Sequence, residues 1–562
     1  MSLFSSINQS AAALRASQLG LQVVGHNIAN ANTPGYIRQE LELVPATATR
    51  LGRLIVGQGV LPRRTTQVID QALAQRMWSA GSAVAAGETL NRAYVDLESM
   101  IGGMDGQGLG AKLSTFNEAL HNLANSPADT SSRDFVLMQA QALTTALNQA
   151  HADGVRSLQR VGDEIPALAD KINSSVERIS ELNLEIMILE GGRAIGSDAT
   201  GLREERYNLL EQLAKIVDIT VQEQRNGAVS VFVGGDYLVA DSNFRGVYVA
   251  RGQNATGREV RIRDTDSPLI TNTGSLSATL KAGGEVFGGY LEKLDQFARE
   301  LATVVNQVHA SGQGLRGLTH LTGTVPLQQG VPLSQAELDF TPRNGSFDIQ
   351  LVDEQGELIS NHRIAVQRLG TVADSTINSI VADINAIDGI SARIDSRGRL
   401  EINSDIPGVG YTFHEDTSGF LAAAGLNTFF VGTSASTLAV NPALLDSPEL
   451  LSISRHGIRN DTDALLELVD LIRRPIPSLD GQSLEGSIQH SINQIAQSIS
   501  LNRAATAGAD DYYKTLRAQH LSVTGVNLDE EAIKMVMYQR AFQASSRVIA
   551  TASEMLELLV SL

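Results

Sequence analysis

Residues 528–562 read LDEEAIKMVMYQRAFQASSRVIATASEMLELLVSL. They predict a helix whose apolar side chains need partners elsewhere in the fold. Apolar residues return every seven positions, which is typical of one long helix with an apolar seam. The seam positions are Leu528, Met535, Phe542, Ile549, Leu556 and, in the second register, Leu559. Asn527 and Glu530 resemble a capping box at the helix start. A single helix cannot bury such a seam, so the pattern requires partner helices.

The first 30 residues predict a matching helix at the other end of the chain. Its seam has the same heptad spacing and consists of Leu3, Ile7, Leu14, Leu21 and Ile28. A signature turn follows, in which proline lacks an amide donor and glycine suits the reversal. The turn residues are Asn30, Asn32, Thr33, Pro34, Gly35 and Tyr36. We expect the two terminal helices to pair with each other and with neighbouring subunits, which makes their seams an assembly surface.

The interior changes its hydrophobic period several times. Helical stripes cover much of residues 113–217, and a period of two begins at Asp218, with Asn226-Gly227 as a hairpin turn. Residues 276–309 return to helix. Within the earlier helical stretch, Pro166 is expected either to start a helix or to kink one. This order predicts an α+β multidomain fold in which the terminal helices pair as a coiled-coil-like core and β-rich domains are inserted in the middle.

Four domains follow from these changes of period. Residues 1–60 with 510–562 form a terminal helical assembly domain, and residues 61–217 with 441–509 form a helical core domain. Residues 218–320 form a β-rich domain with a following helix, and residues 321–440 form a β-rich inserted outer domain. Hydrophobic residues make up 43% of the chain, which is enough to give each domain a core.

The composition excludes several classes of function. The net charge of −18 repels nucleic acid and anionic membranes, and no run of about 18 apolar residues predicts a membrane span. The N-terminus lacks the pattern of a Sec-type signal peptide. The sequence contains no cysteine, which excludes disulfides, thiolate metal sites and cysteine nucleophiles.

No residue pattern predicts a catalytic, cofactor-binding or metal site. The ten histidines are scattered, and none forms a pair with metal-binding spacing. Residues 102–110 are glycine-rich but lack the Gly-Lys-Ser/Thr ending of a phosphate loop. Asp264 and Asp266 lack the spacing of a calcium-binding loop. We therefore expect no enzyme, no cofactor and no metal.

Both ends of the chain resemble one family. Residues 27–36, NIANANTPGY, resemble the N-terminal signature of flagellar rod, hook and hook-associated proteins. Residues 525–531, GVNLDEE, and residues 538–545, YQRAFQAS, resemble their C-terminal signature. Inside the chain, residues 123–127 (LANSP), 231–235 (VFVGG), 305–309 (VNQVH) and 425–430 (GLNTFF) are similar to the hook-associated protein 1 family. The resemblance is thinner over about 320–440.

The resemblance implies a secreted structural component of the bacterial flagellum, an adaptor at the hook–filament junction that leaves the cell by flagellar type III export. The partners that it implies are further copies of the chain in a tube, the hook protein, the second hook-associated junction protein and a cytoplasmic export chaperone on the C-terminal helix. Two alternatives stay open. One is a rod or hook subunit, and the other is a surface-displayed β-domain with adhesive or hydrolytic activity.

Overall fold

The computed structural model describes residues 3–33, 35–51, 54–102, 108–190, 199–336, 338, 340–371 and 374–561. The helices are α1 (Leu3–Ala29), α2 (Gln71–Gly102), α3 (Leu109–Asn125), α4 (Thr130–Leu189), α5 (Thr200–Ile216), α6 (Gly274–Lys281), α7 (Gly289–Ala310), α8 (Ile377–Asn385), α9 (Phe420–Ala423), α10 (Pro442–Asp446), α11 (Asp463–Arg473), α12 (Leu484–Thr524) and α13 (Leu528–Ser561). A π-helical segment, Ala282–Gly288, lies between α6 and α7. The chain forms two compact units.

The first unit comprises Met1–Ala93, Gln159–Gly284 and Ser500–Leu562. Its strands are β1 (Gln39–Pro45), β2 (Thr49–Leu51), β3 (Leu54–Val56), β4 (Val60–Gln67), β5 (Ile219–Glu223), β6 (Val229–Val233), β7 (Asp236–Ala240), β8 (Asn243–Phe244), β9 (Val247–Arg251) and β10 (Arg258–Ile262). β1 pairs antiparallel with β4, and β5 to β8 form one antiparallel sheet in chain order. The aliphatic core of this unit includes Ile172, Leu213 and Val231, which are fully buried.

The second unit comprises Tyr94–Leu158 and Glu285–Ile499. Its strands are β11 (His320–Thr322), β12 (Gly345–Val352), β13 (Leu358–Val366), β14 (Ile390–Ile394), β15 (Leu400–Ser404), β16 (Gly410–His414), β17 (Phe430–Val431) and β18 (Ala439–Val440). Two three-stranded sheets, β13-β12-β16 and β11-β15-β14, share a core with α8. Phe347 stacks on Phe420 in this core, with ring centroids 5.6 Å apart.

A buried histidine is held neutral in the second unit. His309 lies at the end of α7, and its Nδ1 donates to the carbonyl of Asn427 over 2.8 Å. The backbone N–H of Ser452 donates to its Nε2 over 3.0 Å, so that nitrogen must carry a lone pair rather than a proton. Burial lowers the pKa of His309 to about 4. The ring therefore belongs to the core of the unit.

A buried arginine closes the turn between α3 and α4. Arg133 is fully buried, and its Nε and Nη2 donate to the carbonyl of Pro127 over 3.1 and 2.9 Å. Its Nη1 donates to the carbonyl of Leu451 over 2.6 Å. Burial lowers the pKa of Arg133 to about 10, and the nearby Arg459 adds to the effect. Among the described residues the guanidinium of Arg133 therefore bonds backbone carbonyls alone, and one of them is that of Pro127 at the end of the LANSP segment.

Most of the predicted elements are confirmed, and two details differ. The α+β character, the terminal helices and the hairpin at Asn226-Gly227 are present, with Gly227 at a φ of +86°. Pro166 lies inside α4, so of the two expectations for it, a helix start or a kink, the helix start is wrong. The predicted helix over 276–309 is interrupted by the π-helical segment, a conformation with i→i+5 hydrogen bonds that sequence periodicity does not reveal. The predicted borders of the four domains remain predictions.

Candidate assembly site at the terminal helices

The terminal helices α1 and α13 pack against each other within one chain. They run antiparallel, since Asn27 bonds Glu531 while Gly20 lies against Tyr538. Most predicted seam residues are half-buried, namely Leu3, Ile7, Leu14, Leu21, Ile28, Met535, Phe542, Ile549 and Leu556. Leu528 is 52% exposed, and the side chain of Leu559 is outside the described residues. The pairing of α1 with α13 therefore leaves most of the seam half-buried.

Small residues allow the two helices to approach closely. Gly20 is buried on α1, and a Cβ added to it would lie 2.6 Å from Cε1 and Cζ of Tyr538. Ser17 and Ala552 are also buried in this pair of helices, at 5% and 3% exposure. The small residues therefore bury less apolar area, but they allow the aromatic ring of Tyr538 to pack directly against the backbone of α1.

A second apolar face of α13 remains exposed. We call it the outer stripe, and its residues are Ile533, Val536, Met537, Val548, Met555 and Leu558, each between 46% and 66% exposed. At 3.6 residues per turn these positions lie on one side of the helix, away from the seam that faces α1. Heptad spacing indicates the seam but does not reveal the outer stripe, because the residues of the two faces alternate within one apolar sequence pattern.

Asn27 joins the ends of the two helices through a side chain that uses its full hydrogen-bonding capacity. Its Nδ2 donates to the carbonyl of Gln39 over 2.9 Å and to Glu531 Oε2 over 3.0 Å. Its Oδ1 accepts from the N–H of Gln39 over 3.0 Å and from the hydroxyl of Tyr36 over 2.8 Å. Asn27 is 1% exposed, so none of these partners has water as a substitute. We call Asn27, Tyr36, Arg38, Gln39 and Glu531 the polar junction.

The carboxylate in the polar junction is fully buried and paired. Glu531 is 0% exposed, and Arg38 Nε lies 3.3 Å from its Oε1. Arg38 also pairs with Glu530 over 3.1 Å, while Lys534 lies 3.5 Å from Glu531. The predicted capping box is thus half present. The side chain of Asn527 accepts from the backbone of Asp529 and Glu530, but the Glu530 side chain binds Arg38 instead of closing the box.

Tyr36 contributes a neutral phenol to the junction. Burial raises the pKa of Tyr36 well above its ordinary value, and the negative charges of Glu204 and Glu531 raise it further. Its hydroxyl therefore stays a hydrogen-bond donor to Asn27 at all physiological pH values. The backbone N–H of Arg38 donates to the carbonyl of Thr524 over 2.8 Å, which ties this segment to α12.

The signature turn is built from short local bonds. Asn30 Nδ2 donates to the carbonyl of His26, and the Thr33 hydroxyl donates to Asn30 Oδ1. Gly35 has a φ of +83°, and an added Cβ would lie 2.6 Å from Oδ1 of Asn208. Asn32 is exposed, and Pro34 lies outside the described residues. Of the predicted turn residues that the structure describes, Tyr36 alone enters the polar junction. Glu531 is expected from the sequence to favour the helix start through the helix dipole, and its bond to Asn27 was not predicted.

The described residues offer no ligand set that suggests chemistry at this site. Across the ranges that the structure describes, no three His, Asp or Glu side chains converge as a metal site. In the same ranges no helix is long and apolar enough to cross a membrane. Asp266 hydrogen-bonds Tyr248 and pairs with Arg261. Part of the glycine-rich run over 102–110 lies outside the described residues.

Three family models match the chain. Residues 94–323 match the flagellar hook-associated protein FlgK helical domain. Residues 517–562 match the C-terminal part of the flagellar basal body rod FlgEFG proteins, and residues 7–36 match the flagella basal body rod protein model. The two terminal matches contain the residues that meet in the polar junction, apart from Arg38 and Gln39.

Several curated relatives are similar over most of their length. Flagellar hook-associated protein 1 of Salmonella typhimurium is 21% identical over 99% of both chains, and that of Escherichia coli is also 21% identical over 99% of both. The protein of that name from Bacillus subtilis is 25% identical over 55% of this chain and 68% of its own. The solved structure of the flagellar hook junction protein FlgK from Burkholderia pseudomallei superposes with a TM-score of 0.50. At 15% identity over 80% of this chain and 100% of the other, that likeness shows a common fold.

Proposed function

We propose that this chain, which belongs to the flagellar hook-associated protein family, is a structural adaptor at the junction between hook and filament. The observation that carries the proposal is the polar junction, in which the N-terminal and C-terminal signatures bond each other directly. A subunit that presents its two signature segments as one pair of helices has a defined surface for its neighbours. Curated relatives that match nearly the whole chain are named flagellar hook-associated protein 1, which supports the assignment.

The outer stripe supports self-assembly. Its six apolar side chains are exposed along one face of α13, and Phe4 of α1 is 67% exposed as well. Burying the exposed parts of these side chains would contribute about 6–12 kcal/mol, which is comparable to the entropic cost of one association. A single contact of this kind is therefore weak, and a subunit that is surrounded by neighbours in a tube gains from several. We propose copies of the same chain as the occupants of the outer stripe.

A pair of variants tests the stripe. Met537→Asp places a charge in its centre, and Gln539→Asp places the same charge on the same helix at an exposed position outside the stripe. Met537→Asp should abolish polymerisation, measured by sedimentation, and fail to restore motility to a deletion strain, while Gln539→Asp behaves as the wild type. Equal polymerisation by both variants would argue against the stripe.

The seam that faces α1 has a separate test. Leu556→Asp should also impair incorporation, but for a different reason, because it weakens the pairing of α1 with α13. Amide hydrogen exchange separates the two effects, since Leu556→Asp should raise exchange along α13 and Met537→Asp should leave it unchanged. If Leu556→Asp assembled normally, the seam would have no part in assembly.

The place in the flagellum is tested in the cell. A strain that lacks the gene should build hooks and release filament subunits into the medium without retaining filaments. Antibodies against the chain should label one narrow band between hook and filament. Label along the whole hook or in the rod would favour the rod or hook alternative, and normal filaments in the deletion strain would refute the assignment. No contact in the described residues favours the adhesive or hydrolytic alternative.

We further propose that the chain is exported by the flagellar type III route and that a cytoplasmic chaperone covers α13 before export. The exposed outer stripe supports the need for such a cover, since an apolar face of this length promotes premature association. Secretion of the chain should stop in a strain that lacks a functional flagellar export gate. A chaperone complex should protect residues 528–561 from proteolysis, and cleavage there at the rate of the free chain would refute the cover.

A further inference from the structure

The first unit contains a cavity that the assembly role does not use. Its volume is about 320 Å³, and it lies between β4, the start of α2, α5 and β5. One wall is apolar and includes Ile69, Leu210 and Val221. The volume is near the lower end of the range for small-molecule sites, which is roughly 300–1,000 Å³.

The lining is also rich in hydrogen-bond donors. Arg64, Arg203 and Arg206 line the cavity together with the indole of Trp78. Arg206 is only 4% exposed, and its Nη1 bonds two neutral acceptors, Asn183 Oδ1 and the carbonyl of Gly227. Its nearest carboxylate oxygen in an ion pair is that of Glu223, 4.0 Å from Nη2. A guanidinium that is this deeply buried is normally paired more closely.

The one carboxylate in the lining is already occupied. Glu223 accepts from Arg203 through Oε1 and from Gln71 through Oε2. Arg203 in turn bonds both oxygens of Glu190, over 3.0 Å each. Burial, together with repulsion from Arg203, lowers the pKa of Arg206 to about 10, while the charges of Glu223 and Glu190 act in the opposite direction, so the charge of this side chain is only partly compensated. An additional negative charge in the cavity would compensate the positive charge of Arg206.

Two buried polar atoms in the lining lack hydrogen-bond partners within the part of the chain that the structure describes. They are Nε1 of Trp78, whose side chain is 93% buried, and Oε1 of Gln67. Trp78 Nε1 is a buried donor and therefore indicates a missing acceptor, whereas Gln67 Oε1 is an acceptor and requires a donor. Carboxylate oxygens are the acceptors that guanidinium and indole N–H groups bind well.

We propose that this cavity binds a small organic carboxylate whose apolar body is about the size of a benzene ring. The carboxylate lies against Arg206 and Trp78, and the apolar body packs on the wall formed by Ile69, Leu210 and Val221. Neutral molecules of the same shape make the same apolar contacts but bring no negative charge to Arg206, so the site distinguishes charged from neutral ligands.

The sole tryptophan of the chain makes the test direct, because Trp78 lines the cavity. Benzoate should change the tryptophan fluorescence of the full-length protein saturably below roughly 10 mM, and its neutral isostere benzamide should bind about tenfold more weakly. Arg206→Gln should weaken benzoate binding about tenfold. Because removal of a buried arginine destabilises the fold, Ile69→Phe serves as a second variant. It reduces the space in the cavity beside the apolar wall and touches no charged group.

The outcomes separate the carboxylate site from a cavity that holds only water. Saturable binding of benzoate, weakened in Ile69→Phe while circular dichroism remains that of the wild type, supports the proposal. Three outcomes would each overturn it. They are the absence of a saturable fluorescence change, equal binding of benzamide and benzoate, and wild-type benzoate binding by both Ile69→Phe and a folded Arg206→Gln variant. The assay uses dilute monomer, so its result does not depend on the assembly role.

Discussion

The polar junction is tested most sharply by Asn27→Asp, which preserves the shape of the side chain. The change turns the Nδ2 donor into an oxygen that faces two other oxygens, the carbonyl of Gln39 at 2.9 Å and Oε2 of Glu531 at 3.0 Å. It also places a second negative charge beside the fully buried Glu531. No cavity is created, so any loss of stability reports on hydrogen bonding and charge alone.

The expected loss follows from the burial of these groups. Two buried hydrogen bonds, one of them to a charged group, contribute about 2–4 kcal/mol. The uncompensated carboxylate raises the total loss to about 3–5 kcal/mol near neutral pH. Burial and the neighbouring Glu531 raise the pKa of the new carboxyl in the folded state, so folding favours its protonated form. The loss is therefore complete above that pKa and becomes smaller as the pH falls.

Amide hydrogen exchange of residues 528–561 in dilute monomer measures the effect locally. A loss of about 3 kcal/mol corresponds to more than 100-fold faster exchange. Asn32→Asp is the matched control, since it makes the same chemical change at an exposed position of the signature turn that follows α1. Adding Glu531→Gln to Asn27→Asp restores an amide–carboxylate pair and should recover about 1–2 kcal/mol. Exchange of Asn27→Asp within twofold of the control, or strict additivity in the double variant, would refute the role of the junction.

Three further predictions concern packing and buried charge. The pKa of His309 is about 4, so the second unit should keep its full stability above pH 6.5 and lose about 3 kcal/mol as the pH falls to 4. Urea unfolding at each pH measures this loss, and a stability that does not change with pH would contradict the buried neutral ring. Gly20→Ala should destabilise the α1–α13 pair by about 1–3 kcal/mol despite its better helix propensity, and adding Tyr538→Ala should remove most of that penalty in hydrogen exchange. Arg133→Met should lower the urea midpoint by the equivalent of about 2–4 kcal/mol, because buried carbonyls lose their donors, and an unchanged midpoint would show that water replaces them.

Local sequence information was sufficient for the elements and the fold class. The seven-residue repeats of Ile7 and Met535 predicted both terminal helices, because side chains that are seven residues apart lie on one helix face. The change to a period of two at Ile219 and the turn at Asn226-Gly227 predicted a hairpin for the same kind of reason. Composition and the two terminal signatures were likewise sufficient to indicate a structural subunit of the flagellum.

Tertiary structure alone decided how these elements meet. Asn27 and Glu531 are separated by 504 positions, so no local pattern indicates that they share a hydrogen bond. The outer stripe and the seam occupy one apolar helix, and only the packing of α1 determines which of its faces is covered and which is left for a neighbour. The orphaned indole of Trp78 is likewise visible only when four distant segments enclose it. Periodicity depends on neighbours along the chain, whereas burial and charge compensation depend on residues that folding brings together from far apart.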